Sequence, residues 1–138
     1  MKIEIKRIND KVNLEAINEE GKSIIMDGSP AIGGNNLGMR PMQVLLASLG
    51  GCSSMDVLSI LSKQRQNITD YEVVINGERE AGVEPSLFKD INVHFILKGE
   101  NLDEEKVKRA IDLSMNKYCS VAKTLEPTCK ITSSYKIN

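Results

Sequence analysis

Three thiols and one imidazole are the residues of this 138-residue chain whose types could carry covalent chemistry: Cys52, Cys119, Cys129 and His94. Cys52 follows a glycine pair, Gly50 and Gly51, in the middle of the long apolar run PMQVLLASLGGCSSMDVLSILSKQR. Cys119 stands in KYCSVAKTLEP, where one apolar stripe ends and another short segment begins. Two thiols of this kind admit redox chemistry: one thiolate attacks an oxidised substrate and becomes a sulfenic acid, and the second condenses with it to a disulfide. They equally admit the reading of two small buried hydrophobes, and a separation of 67 residues says nothing about proximity. Cys129 reads as a core residue of a terminal strand. His94 has no carboxylate or cysteine close to it in sequence and reads as structural. With no C-x-x-C and no Cys/His cluster, the sequence offers no zinc ligand set, so no metal is expected.

The elements that must position these thiols follow from patterning. Pro41 to Arg65 reads as a helix that is apolar or small almost all round, the pattern of burial on several sides. Pro41 suits its first position, and Lys63 and Arg65 favour its C-terminal end. Each mid-helix glycine costs about 1 kcal/mol against alanine, so the pair predicts close approach of another backbone, in particular another helix. Leu45, Ser48, Leu49, Met55, Asp56 and Ser59 share the helical face of Cys52, with Leu45, Leu49 and Met55 giving an apolar wall. A carboxylate at Asp56 disfavours a neighbouring thiolate and is expected to pair with a cation or turn to another group. Arg40 and Gln43 lie twelve and nine residues before Cys52, roughly 18 Å and 14 Å along a helix. If either acts on the sulfur, it comes from a partner subunit.

Around this helix, residues 2 to 17 read as a hairpin whose first strand is half-buried through Ile3 and Ile5. Strict alternation puts Arg7 on their face, either frayed out at the turn or kept inside for a purpose. Ser23 to Met26 is a third strand, and DGSPAIGGNNLGMR, residues 27 to 40, is a long loop of the binding or lid kind. Tyr71 to Arg79 and Leu87 to Lys98 are longer strands, with Ile91, Val93, Phe95 and Leu97 on one buried face. Asp103 starts an amphipathic helix whose stripe is Val107, Ala110, Ile111, Ser114, Met115 and Tyr118, leaving Arg109 solvated. Ser120 can cap a short helix ending before Pro127, and residues 128 to 138 close the chain as a strand.

Length and composition bound the function class. The chain is most simply one domain, residues 1 to 138. With a formal net charge of −1 and no basic run, nothing points to nucleic acid. The apolar run is long enough to span a bilayer, but Asp56, the serines and the glycine pair argue against a membrane segment. Three cysteines and no secretory signal point to individual thiols in a reducing cytoplasm. Five aromatic residues are few to cover so apolar a helix, which points to a second chain.

The run PMQVLLASLGGCSSMDVLSIL together with KYCSVAKTLE resembles the OsmC/Ohr family, most closely its YhfA-like branch, over essentially the whole chain. The resemblance implies an α+β, OsmC-like fold: an intertwined homodimer with long cysteine-bearing central helices wrapped by antiparallel sheets. It further implies a thiol-dependent peroxidase that reduces organic hydroperoxides in oxidative stress defence. No bound cofactor is implied, and electrons come from an external dithiol such as a lipoylated protein. Cys52 then matches the peroxidatic cysteine and Cys119 the resolving one. The family pairs a glutamate after the helix-opening proline with an N-terminal arginine; here Met42 and Gln43 stand at the first place and Arg7 is the counterpart of the second. Gln43 can hydrogen-bond, but it cannot neutralise a guanidinium. That departure favours the alternative, a non-catalytic or redox-sensing binding protein holding an apolar small molecule in the dimer cleft.

Overall fold

The computed structural model describes residues 1–138. They form two compact units, Met1–Leu45 and Leu46–Asn138. Strands and helices are mixed along the chain, in two three-stranded sheets, the α+β architecture expected.

The first unit holds β1 (Ile3–Arg7), β2 (Leu14–Asn18) and β3 (Ser23–Met26) as an antiparallel sheet in that order. Asn9 builds the first turn by accepting the N–H groups of Lys11 and Asn13 on its side-chain oxygen, at 2.9 and 3.2 Å. The expected half-burial of β1 is not found within the chain. All five of its residues are exposed, Ile3 and Ile5 among them, because no layer of this unit covers that face. Arg7 is exposed too, opposite Leu14 at the strand end.

The loop from Asp27 to Arg40 is held from within. The buried Asp27 carboxylate accepts three backbone N–H groups, from Gly28 (2.7 Å), Asn35 (3.1 Å) and Leu37 (3.0 Å). The Leu37 bond leads in holding its pKa below the ordinary carboxylate value, against the opposing effect of burial, with the Asn35 and Gly28 bonds and the Arg40 charge adding to it. Arg40 Nη1 donates to the carbonyls of Asp27 (3.3 Å) and Gly38 (3.4 Å), and Nη2 donates to Asn36 Oδ1. Gly34 permits the closure, since a Cβ there would sit 1.9 Å from the Gly28 carbonyl oxygen.

Helix α1 (Pro41–Lys63) begins in the first unit and runs on into the second. Proline at its first position and the Gln43 side chain, which accepts Arg40 N–H at 2.9 Å, together start it. This is the return half of a capping box, with glutamine as the third helical residue.

In the second unit β4 (Asn67–Arg79), β5 (Phe88–Glu100) and β6 (Lys130–Ile137) form a sheet in sequence order, β4 antiparallel and β6 parallel to β5. A parallel pair needs a crossover of a dozen or more residues. Here it contains α2 (Glu104–Leu113), a π-turn at Ser114–Tyr118 and α3 (Ser120–Leu125). Asp103 caps α2 through N–H bonds from Glu105 and Lys106. The fully buried residues include Ile91, Val93, Phe95 and Leu97 of β5, Leu49, Val57 and Leu61 of α1, and Val107 of α2, with Ala110 and Ile111 beside it. His94, on the other face of β5, bonds Ser134 Oγ through Nδ1 at 2.8 Å.

Three further expectations change. Helix α1 is buried along one stripe, Leu49, Gly50, Ser53, Val57 and Leu61, rather than on several sides, and Met55 and Leu58 are exposed. By length and composition α1 is also apolar enough to cross a bilayer, although this stripe is packed inside the protein. The glycine pair does not meet a helix within the chain: Gly50 lies under the Ile75 side chain of β4, whose Cδ1 would be 2.3 Å from an added Cβ, and nothing lies within 4 Å of one at Gly51. Finally, Tyr118 leaves the apolar stripe and is exposed, because the π-turn inserts a residue and rotates it out of the α2 face.

Candidate functional site

Cys52 and Cys119 meet. Their sulfurs and a carboxylate oxygen of Asp56 all lie within 4.8 Å of one another, in a group drawn from α1 and the α2–α3 junction. Both cysteines are free thiols, Cys52 half-buried and Cys119 fully buried. A disulfide requires about 2.05 Å between sulfurs, so the pair is unbonded but close.

Local structure explains the placement. Cys52 stands one residue before Ser53, which is on the buried stripe, so its side chain lies at the stripe's edge. Asp56 follows one turn later. From the other side, the π-turn begins at Ser114 and ends when Cys119 N–H bonds the Ser114 carbonyl at 2.8 Å. The backbone at Cys119 is extended, with φ −67° and ψ 102°, and α3 starts at Ser120. Cys119, rather than Ser120, is therefore the cap: its sulfur accepts the Ala122 N–H at 3.4 Å and its carbonyl accepts the Lys123 N–H. A thiol can take the place of the usual hydroxyl or carboxylate because the geometry asks only for an acceptor at that point.

One side chain ties the two halves together. Ser114 is buried, and its Oγ lies 3.0 Å from Asp56 Oδ2 and 3.2 Å from the Ser53 carbonyl oxygen. Asp56 thus turns toward a hydroxyl, one of the two outcomes expected of it.

Burial sets the state of Cys119. Burial pushes Cys119 up to about 11 from an ordinary thiol value; the Ala122 N–H opposes this, and the hydrogen bond and charge interaction with Cys52 add to it. Cys119 is accordingly a protonated thiol near neutral pH, beside a sulfur that is the more accessible of the two. Cys129 stands apart in role: it is buried in the bend just before β6 rather than in the strand, with Sγ 3.4 Å from the Leu125 carbonyl oxygen.

The other candidates are distributed as follows. Leu49 is enclosed in the core, Leu45 is half-buried and Met55 is exposed. Arg40 and Gln43 are engaged in loop and helix-cap bonds of the first unit, and Arg7 is exposed on β1. Beside the cysteines, Asp56 also forms one edge of an open cleft of about 620 Å³ with Ile60, Lys63, Gln64, Leu113 and Tyr118 among its walls. Sequence reasoning did not pick out Ser114 or Tyr118 for the site. A serine at a core position of an otherwise apolar stripe was the available signal for the first, and nothing marked the second.

Comparison with known proteins gives one consistent result. Residues 33–134 match the family model described as OsmC-like protein. The curated Protein YhfA of Escherichia coli K12 is 45% identical over 117 residues, which cover 85% of this chain and 84% of that protein. A crystal structure of a protein from Aquifex aeolicus VF5 superposes with a TM-score of 0.85 at 27% identity, covering 99% of this chain and 95% of the other. An organic hydroperoxide resistance protein OsmC from Legionella pneumophila shares the fold at 14% identity and a TM-score of 0.71, over 99% and 97% of the two chains.

Proposed function

This chain belongs to the OsmC-like protein family, and from that premise we propose that it is a thiol-dependent peroxidase for organic hydroperoxides, acting in the cytoplasm as a homodimer. The observation that carries the reading is the approach of the Cys52 and Cys119 sulfurs to within 4.8 Å. The name of the Legionella relative, organic hydroperoxide resistance protein, supplies the substrate class.

In this reading the Cys52 thiolate attacks the outer oxygen of ROOH. The O–O bond breaks, the alkoxide takes a proton and leaves as ROH, and Cys52 is left as a sulfenic acid. Cys119 then attacks that sulfur, displaces the hydroxyl as water and forms the Cys52–Cys119 disulfide. The sum is ROOH plus two thiols giving ROH, water and a disulfide, and an external dithiol returns the pair to the reduced state by exchange. The burial of Cys119 supports its assignment to the second step, since a protonated, covered thiol is a poor first nucleophile. Exposed Met55 and Leu58 on α1, and Ile3 and Ile5 on β1, support the homodimer as apolar surface that a second copy would cover.

A second reading, a redox-sensing binding protein for an apolar molecule, is favoured by one observation: Gln43, where the family carries a glutamate, is spent on capping α1. One assay separates them. Purified protein mixed with cumene hydroperoxide and dihydrolipoamide should consume peroxide, and Cys52→Ser should not. Equal background consumption by both removes the enzyme reading.

A further inference from the structure

We propose that the reduced Cys52 and Cys119, together with the Asp56 carboxylate, form a binding site for a soft divalent cation of the zinc type. The sequence alone offers no such ligand set; the fold assembles one from two separate segments. Two sulfurs and one carboxylate oxygen lie within 4.8 Å of one another. Around a tetrahedral zinc, with about 2.3 Å to sulfur and about 2.0–2.2 Å to oxygen, two sulfurs and an oxygen stand roughly 3.5–3.8 Å apart. The three present here need to contract by on the order of an ångström to reach that spacing, within the reach of side-chain rotation.

The supporting bonds are of the kind a metal site uses. Ligating carboxylates are held by a further hydrogen bond, and Asp56 Oδ2 has one from Ser114 Oγ at 3.0 Å. The Ala122 N–H that reaches the Cys119 sulfur at 3.4 Å would offset charge on a bound thiolate. Asp56 also lines the open cleft and Cys52 is half-buried, so solvent reaches one edge of the group. Two sulfurs select a soft ion: calcium and magnesium take oxygen donors, whereas thiolates favour zinc and its neighbours.

Binding involves no electron transfer. Each thiol releases its proton to solvent as its sulfur lone pair binds the cation, so occupancy rises with pH. Because the same lone pairs make the disulfide, metal binding and disulfide formation exclude each other. The cation would hold the pair reduced and shield it from oxidants until it is withdrawn.

The test uses the full chain, reduced and stripped of metal with chelator, titrated with Co²⁺ and then with Zn²⁺. The expected result is a saturable 1:1 sulfur-to-cobalt charge-transfer band that Zn²⁺ abolishes. Cys52→Ser and Cys119→Ser should each weaken binding and reduce the band, and Asp56→Asn should weaken binding at least about tenfold while the band persists at saturation. Cys129→Ser should bind as the parent does. Serine is itself a good helix cap, and circular dichroism of each variant verifies its fold. No band in the parent, a band untouched by Cys119→Ser or lost in Cys129→Ser, or parental affinity in Asp56→Asn overturns the proposal. A protein that consumes peroxide but gives no band refutes the metal site alone, and one that gives the band without consuming peroxide refutes only the peroxidase reading.

Discussion

The Ser114 hydroxyl bonds the Asp56 carboxylate at 3.0 Å, joining the start of the π-turn to the helix that carries Cys52. Cys119 sits at the other end of that turn, bonded through its own N–H to the Ser114 carbonyl. Two cysteines distant in sequence are thus registered by a single residue lying between the elements that bear them. Ser114→Ala removes the buried hydroxyl whose one proton serves Asp56 Oδ2 at 3.0 Å, with the Ser53 carbonyl 3.2 Å away. Leaving such a group unpaired costs about 1–3 kcal/mol, so urea unfolding should show a loss of that size, accompanied by slower disulfide formation after peroxide.

Cys119 gives a pH signature. Its pKa in the folded protein, about 11, lies above the ordinary thiol value of 9.0, chiefly through burial. Below the unfolded value both states are protonated and the full stabilisation is present. As pH rises from there through the folded value, the unfolded chain sheds its proton more readily and that stabilisation is lost. The melting temperature of the parent should therefore fall relative to that of Cys119→Ser as pH is raised from 8 toward 11, in paired thermal melts. A constant difference across that range would show that Cys119 is not held up by its surroundings.

The two thiols should also separate by labelling. In the reduced protein near neutral pH, iodoacetamide should modify Cys52 well before Cys119, because Cys52 is half-buried whereas Cys119 is fully covered and protonated. Peptide mass spectrometry over a time course reads the order. Faster modification of Cys119 would reverse the roles assigned to the pair.

Gly50 and Gly51 should respond differently to alanine. A Cβ at Gly50 would lie 2.3 Å from Ile75 Cδ1, and its next neighbour there, Ile75 Cγ1, is at 3.5 Å. The close atom is the free end of a half-buried side chain, so turning it aside offsets only part of the gain of about 1 kcal/mol from better helix propensity. Gly50→Ala should gain less stability than helix propensity alone gives, and Ile75→Val, which removes the close methyl, should restore the difference in a double-mutant cycle. Gly51→Ala, with nothing within 4 Å inside the chain, should raise the melting temperature more than Gly50→Ala does.

Much of the scaffold was legible because local chemistry and final structure agree. Pro41 marks the first residue of α1, alternation in residues 91 to 97 marks the buried face of β5, and Asp103 caps α2 as its side chain predicts. The OsmC-like fold itself was legible through the two cysteine neighbourhoods. What escaped was non-local or non-periodic. A π-turn adds one residue to a stripe that looks continuous at 3.6 residues per turn, so Tyr118 was placed inside when it is outside. Asn67 to Asp70, with Ile68 as its one apolar residue, is too short of alternation to show β4 starting four residues before Tyr71. Ser120 looked like the cap because hydroxyls usually fill that place, but the thiol before it already does so. The approach of Asp56 to both sulfurs depends on tertiary packing through Ser114, which spacing along one helix does not encode.

The most direct measurement is the intact mass and peptide map of the reduced protein, free of metal and reductant, after one equivalent of cumene hydroperoxide. The peroxidase account predicts the loss of two hydrogens and a single linkage between the peptides of Cys52 and Cys119, with Cys129 still a free thiol. In Cys119→Ser, a dimedone adduct should appear on Cys52 instead. An unchanged mass, or a linkage that runs through Cys129, would contradict it.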